Sequence, residues 1–195
     1  FIVNGAGTVN LGTESKTADT KIITEKKDIN FSGTGTVTVN SPVILDTTSG
    51  AASASGNITI INPFQGKIAD SQPLTIKAGT GNVNLQSDIG TLVSLGDVTI
   101  TDKDTTLSQA KELKAKTVSI TGAKIKTEQS SKITTAQTVA LTNSDLFLTE
   151  KGSVITALTG FTKNGTGLSQ IAGTVRTNNS AITFNNTTYI YNAST

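Results

Sequence analysis

The chain has 195 residues, of which 35% are apolar and only 4% aromatic, and its 16 basic and 14 acidic side chains leave a formal net charge of +2. With no Cys, His, Met or Trp, it can form neither a disulfide frame nor a thiolate metal site, and it lacks the usual general base and the commonest transition-metal ligand. So small a charge imbalance argues for no particular partner, and no apolar run of about 18 residues is present to span a bilayer as a helix.

The length fits a single domain over residues 1–195 whose interior is built from Val, Ile, Leu, Ala and Thr, side chains that suit a pleated surface. The chain opens on "FIVNGAGTVNLG", hydrophobic and strand-like, with Phe1, Ile2 and Val3 at its tip. Residues 1–36 are read as an N-terminal cap or assembly segment. The absence of Met at position 1 reads as processing, or as an excerpt of something longer, and the product as soluble and exported.

From Val37 the sequence pulses. The stretches "VTVNSPVIL" (Val37), "ITIINPFQGKI" (Ile58), "VTITDKDTTL" (Val98), "VSITGAKIKT" (Val118), "VALTNSDLFLT" (Val139) and "ITFNNTTYIY" (Ile182) each open apolar, small polar, apolar and then turn. Their starts lie 21, 40, 20, 21 and 43 residues apart, one or two periods of about 21, with skipped units at Leu74 and Leu158. Within a period there are three apolar pulses: Val98 and Ile100, then Leu107, then Leu113; Val118 and Ile120, then Ile125, then Ile133; Val139 and Leu141, then Leu146 with Leu148, then Ile155.

Three pulses per period predict three short strands per turn, coiled so that each strand stacks on its counterpart one turn earlier. The predicted fold is therefore all-β, a right-handed parallel β-helix (β-solenoid), with an Ig-like β-sandwich as the alternative. Length over period gives roughly nine turns and a rod about 40 Å long. Repeat coils are placed at 37–181 and a C-terminal cap or assembly segment at 182–195. Asn40, Asn62 and Asn143 are expected near one corner, as turn residues tolerant of left-handed backbone. The segment Thr105–Thr117 also carries helical spacing at Leu107, Ala110 and Leu113, but Leu107 and Leu113 fall where the repeat needs inward residues, so strand and turn are preferred there.

The units "LTIKAGTGNVNL", "LGDVTITDKDTTL" and "AKTVSITGAKI" resemble the degenerate β-strand repeats of large secreted bacterial surface proteins, of the filamentous-haemagglutinin and autotransporter-passenger type. The resemblance implies an extracellular β-helical rod used for adhesion, biofilm matrix or surface layers, needing no cofactor. "INPFQG" (61–66) only echoes the Asn-Pro turn of two-partner secretion domains.

Enzymes use such folds too, and a polysaccharide-binding or -degrading β-helix is a further reading. The best local carboxylate group is Asp97, Asp102 and Asp104, in "GDVTITDKD". Asp102 and Asp104 straddle a lysine in an apparent turn, where turn chemistry explains them better than a Ca²⁺ site or acid–base catalysis. "GTGNVN" and "GTGTVTVN" lack the third Gly and the helix of a phosphate cradle and read as tight corners. Lys111–Lys116, Lys124 and Lys126 form the densest basic stretch, without aromatics for base stacking, and no nucleic-acid partner is expected. Thr34, Thr36 and Thr38 suggest an ice-binding array only if the same outward Thr pair recurs in successive turns, which the units from Val98, Val118 and Val139 do not keep. Asn-x-Ser/Thr sequons at Asn57, Asn164, Asn178, Asn185, Asn186 and Asn192 are expected by chance in so Asn- and Thr-rich a chain.

The reading is thus of a non-enzymatic, extracellular structural or adhesive rod. Its expected partners are a glycan or host-surface ligand along the flank, or further copies joined end to end by strand pairing through Phe1, Ile2, Val3, Thr188, Tyr189, Ile190 and Tyr191.

Overall fold

The computed structural model describes residues 1–13, 18–49 and 55–191, and among them every helix or strand assigned is a β-strand. The strands, numbered β1 to β21 in chain order, form a parallel β-solenoid of about eight turns. Strand pairing is parallel along the stack, which sets aside the Ig-like sandwich, a fold of antiparallel sheets.

Three faces run the length of the rod. The first stacks β1 (Ile2–Val3), β4 (Ile29–Phe31), β7 (Ile58–Ile60), β10 (Asn82–Leu85), β12 (Asp104–Leu107), the last part of β13 (Glu112–Thr127), the last part of β15 (Thr138–Thr149), β18 (Leu168–Ile171) and β21 (Thr188–Ile190). The second stacks β2 (Val9–Leu11), β5 (Val37–Val39), β8 (Phe64–Gly66), a bridge at Ile89, the start of β13, β14 (Lys132–Thr135), β16 (Val154–Ala157) and β19 (Thr174–Thr177). The third stacks β3 (Thr20–Ile23), β6 (Val43–Asp46), β9 (Leu74–Lys77), β11 (Leu95–Thr101), the middle of β13, the start of β15, β17 (Gly160–Asn164) and β20 (Ile182–Phe184).

Alternation drives this arrangement. Along β14 and β16 every second side chain is buried and the others face out, the two-residue period of a half-buried strand. The inward residues form one continuous core of Val, Ile, Leu and Phe. Two aromatic stacks thicken it: Phe31 against Phe64 at 4.9 Å between ring centres, and Phe161 against Phe147 at 6.3 Å and Phe184 at 5.3 Å.

The turn length is not constant. Successive inward positions on the first face, Ile29, Ile58, Val83, Thr105, Ile125, Phe147, Ser169 and Thr188, are spaced by 29, 25, 22, 20, 22, 22 and 19 residues. The 21-residue period therefore holds from β9 onward: Leu74, Val98, Val118, Val139, Phe161 and Ile182 do form one column. The first two units were out of phase, because Val37 lies on the second face and Ile58 on the first. Residues 1–36 contribute β1 to β4, stacked on the same three faces as the coils that follow. Thr105–Thr117 is strand, turn and strand.

One pulse pointed the wrong way. Leu146 and Leu148 are only half-buried, and the inward residues beside them are Phe147 and Thr149. Gly122 pairs with Asn143 and Lys124 with Leu146, so the upper coil holds one extra residue at this corner. A one-residue insertion exchanges the two faces of everything after it.

Candidate functional site

The three asparagines assigned to one corner occupy three. Asn40 follows β5 on the second face, Asn62 follows β7 on the first, and Asn143 leaves the third face within β15. Asn62 is a satisfied corner residue, its Oδ1 accepting from the Gly33 N–H at 2.8 Å and its Nδ2 donating to the Gly35 carbonyl at 2.6 Å. Asn143 is different: it is 1% exposed, and neither its Nδ2 nor its Oδ1 has a hydrogen-bond partner among the described residues.

Register explains its setting. At the corner where the third face turns into the first, the aligned positions of successive coils are Thr47, Ala78, Asp102, Gly122, Asn143 and Gly165, of which Gly122 is half-buried and Gly165 exposed. From Ala78 on, a small residue alternates with a larger polar one, so each polar side chain has room made by its neighbour. A Cβ on Gly122 would sit 2.7 Å from Asp102 Oδ1, closer than carbon and oxygen tolerate. At Gly165, whose φ is +94°, a Cβ would run into the Asn143 carbonyl.

Asp102 is 7% exposed; its Oδ2 accepts from Thr105 Oγ1 at 2.8 Å and its Oδ1 is unpartnered. Burial pushes its carboxyl up to about 7, opposed by the Thr105 hydroxyl and the Val83 backbone and aided by the charge of Asp104. The three carboxylates singled out in sequence do not converge on one face. Asp97 faces outward on β11 and accepts from Thr117 Oγ1 at 2.8 Å, Asp102 turns inward at the corner, and Asp104 starts β12 on the first face. Among the described residues no three acidic side chains gather to hold a metal ion.

Outside this corner a groove of about 520 Å³ runs along the axis from Gly79 and Thr80 to Gly165 and Thr166, with Asp102, Gly122 and Asn143 among its lining residues. Thr101, Thr121 and Thr142 stack in register beside it. The adjoining column reads Thr99, Ser119, Ala140, so the paired Thr array of an ice-binding face is not kept.

One charged residue was overlooked in the sequence because it occupies an apolar slot. Lys163 lies inward on β17, stacked between Leu141 and Phe184, fully enclosed, with its Nζ donating to the Asn164 carbonyl at 2.5 Å. Burial holds its ammonium below the usual lysine range. Replacing it with an apolar residue of similar length removes an enclosed charge that has no ion pair to a carboxylate among the described residues. Lys163→Met is expected to raise stability at pH 7 by about 1 kcal/mol or more, read as a higher urea midpoint at unchanged slope; a lower midpoint would refute this account of the site.

The proposed assembly residues lie at opposite ends of the first face, Ile2 and Val3 on β1 with Phe1 just before it, and Thr188, Tyr189 and Ile190 on β21 with Tyr191 just after it. Phe1, Ile2, Tyr189, Ile190 and Tyr191 are exposed, Ile190 at 79%, whereas Val3 packs against the core and Thr188 is half-buried. Beside β21 an apolar depression of about 370 Å³ is lined by Ile171, Val175, Ile182, Phe184 and Ile190. Of the sequons, Asn57, Asn178 and Asn185 are exposed, Asn164 and Asn186 are half-buried, and Asn192 lies outside the described residues. Compared with family models, with curated proteins and with solved structures, the chain matches none.

Proposed function

We propose that this chain is a non-enzymatic segment of an extracellular rod that presents its flanks for adhesion, as in the secreted bacterial surface proteins its repeats resemble. The observation that supports this most is the unbroken parallel stack: inward Val, Ile, Leu and Phe are spent on the ladder from coil to coil, and the outward positions of the third face are mainly Thr, Ser and Ala. Such a stack converts sequence into a stiff, repetitive surface, which is what multivalent contact with another surface requires. The test is retention of the purified chain on surfaces coated with host or microbial glycans against bare surfaces. Retention that survives when the coils are unfolded, or equal retention on bare surfaces, argues against the reading.

A second reading, end-to-end assembly of copies, is favoured by the apolar side chains exposed on both β1 and β21 and by the apolar depression beside β21. Strand edges left open in this way are templates for pairing. Electron microscopy at rising protein concentration is expected to show rods lengthening by whole-solenoid steps, and Ile190→Lys to shorten them; particles of one length at every concentration exclude it.

A further inference from the structure

We propose that copies of this chain join end to end with each copy rotated by a third of a turn, so that β1 of one copy stacks on β19 of the copy before it, β2 on β20 and β3 on β21. The proposal rests on the end-to-end reading above and fixes the interface that reading needs. Its basis is the winding of the chain. Among the described residues the first face holds nine strand positions and the other two hold eight each, because the chain starts on the first face with β1 and returns to it with β21. Each coil climbs one strand spacing, about 4.8 Å, so each strand lies about a third of that beyond the one before it. Both ends are therefore stepped: β21 protrudes most at one end and β1 at the other. Stacking first face on first face sets one protruding strand against the other and leaves each remaining face a strand short. A third of a turn fits the steps together, and the ramp passes from β21 of one copy to β1 of the next without a break.

The side chains agree with this join. With inward residues on inward residues, Phe1 and Val3 cover Val175 and Thr177, Val9 and Leu11 cover Ile182 and Phe184, and Thr20 and Ile22 cover Thr188 and Ile190. None of these is charged, so the contact encloses no unpaired charge. On the outside the same register lays Ile23 on Tyr191 and the stem of Lys21 along the Tyr189 ring, giving exposed side chains a neighbour. First face on first face would set Ile2 on Tyr189 and leave Ile23 with no strand beside it. Exposed apolar surface is concentrated where the join needs it: of eleven exposed large apolar side chains among the described residues, seven lie on the two end coils, namely Phe1, Ile2 and Ile23 at one end and Ile182, Tyr189, Ile190 and Tyr191 at the other. Their open surface is roughly 700 Å², and the half-buried inward residues with three strand edges bring the join to about the 1,000 Å² that a specific interface needs. Coils of unequal length already stack within the chain, the excess being taken up at corners.

The chain has no cysteine, so introduced pairs report the join directly. Ile23→Cys combined with Tyr191→Cys sets two thiols on stacked neighbours of adjoining copies, about 4.8 Å apart at Cα and within reach of a disulfide. Within one copy the two positions lie at opposite ends of the rod and cannot bond. Ile2→Cys combined with Tyr189→Cys reports the join of first face on first face in the same way. All four positions are exposed, and both double variants are expected to melt at the wild-type temperature. Mild oxidation of concentrated protein is expected to turn the first pair into a ladder of covalent multimers on denaturing gels, lost on reduction and at least tenfold more abundant than any from the second pair. Electron micrographs of the wild type are expected to show an axial rise of about 40 Å and a third of a turn per copy. A ladder from the second pair alone overturns the rotated join and leaves end-to-end assembly standing. Wild-type filaments with neither pair cross-linking do the same. A wild type that sediments as a monomer at every concentration overturns both.

Discussion

Asp102→Asn is expected to remove a loss of stability that the wild-type protein suffers as pH rises from about 4 to 7. The carboxyl has an ordinary value of 3.8 and is pushed up to about 7 in the folded corner, so the folded chain holds its proton more tightly than the unfolded chain does. Stability is then fully present below pH 4, declines between the two values and stays at its lower level above 7. The gap of about three pH units corresponds to as much as roughly 4 kcal/mol. The groups around Asp102 offset its burial only in part, chiefly through the Thr105 hydroxyl that donates to its Oδ2 at 2.8 Å. Asp104 adds like charge, β10 offers only the Val83 backbone, and Lys124 on β13 turns outward to Asp145 at 3.5 Å. Other carboxylates work in the opposite sense. Lys126 binds Glu150 at 2.8 Å and holds its carboxyl below the usual range, a contribution lost toward acid. Subtracting the asparagine variant from the wild type isolates Asp102. Urea unfolding of both proteins at pH 3.5, 5.5 and 8 is the measurement, and parallel curves would show that the corner carboxyl is ionised at no cost.

Phe161→Ala is expected to lower stability by about 3–5 kcal/mol, the range for deleting a buried aromatic. Phe161 is fully buried between Val139 below and Ile182 above, and its ring bridges those of Phe147 and Phe184. Because each coil contacts chiefly its neighbours, the damage should stay local. Hydrogen exchange is expected to quicken in β15, β17 and β20 and to change little in β4 to β7. Leu158→Ala, at a side chain 43% exposed, is the control and should stay within about 0.5 kcal/mol. Uniform loss of protection along the rod would instead mean that the coils unfold as one unit.

The architecture was legible in sequence where coils are short. From Leu74 onward the corners take so few residues that the apolar pulses recur at nearly fixed spacing, and the stacking order could be read directly. Upstream, coils of 25 and 29 residues carry longer connections, and a period cannot be phased through them. Leu146 and Leu148 misled for a related reason: leucine outweighs one phenylalanine in a pattern, while the extra corner residue that decides the facing has no hydropathy of its own. The corner site was half visible. Asn143 and Asp102 were both singled out, but for turn propensity. What joins them is their common place two residues beyond the last inward apolar position of the face, alternating with Gly122 and Gly165, and that relation appears only once register is known. Lys163 was invisible because nothing in "GFTKNG" distinguishes an inward lysine from an outward one.

The direction of the hydrogen bonds, along the rod's long axis, determines how it answers force. Pulled from its two ends, such a rod is loaded through one rung of bonds at a time, as a zipper is, and not across many rungs in parallel. Each released coil of about 20 residues pays out roughly 70 Å of chain. A filament attached at one end to a cell and at the other to a surface would therefore yield stepwise and lengthen severalfold before letting go, keeping its remaining flank folded and in contact.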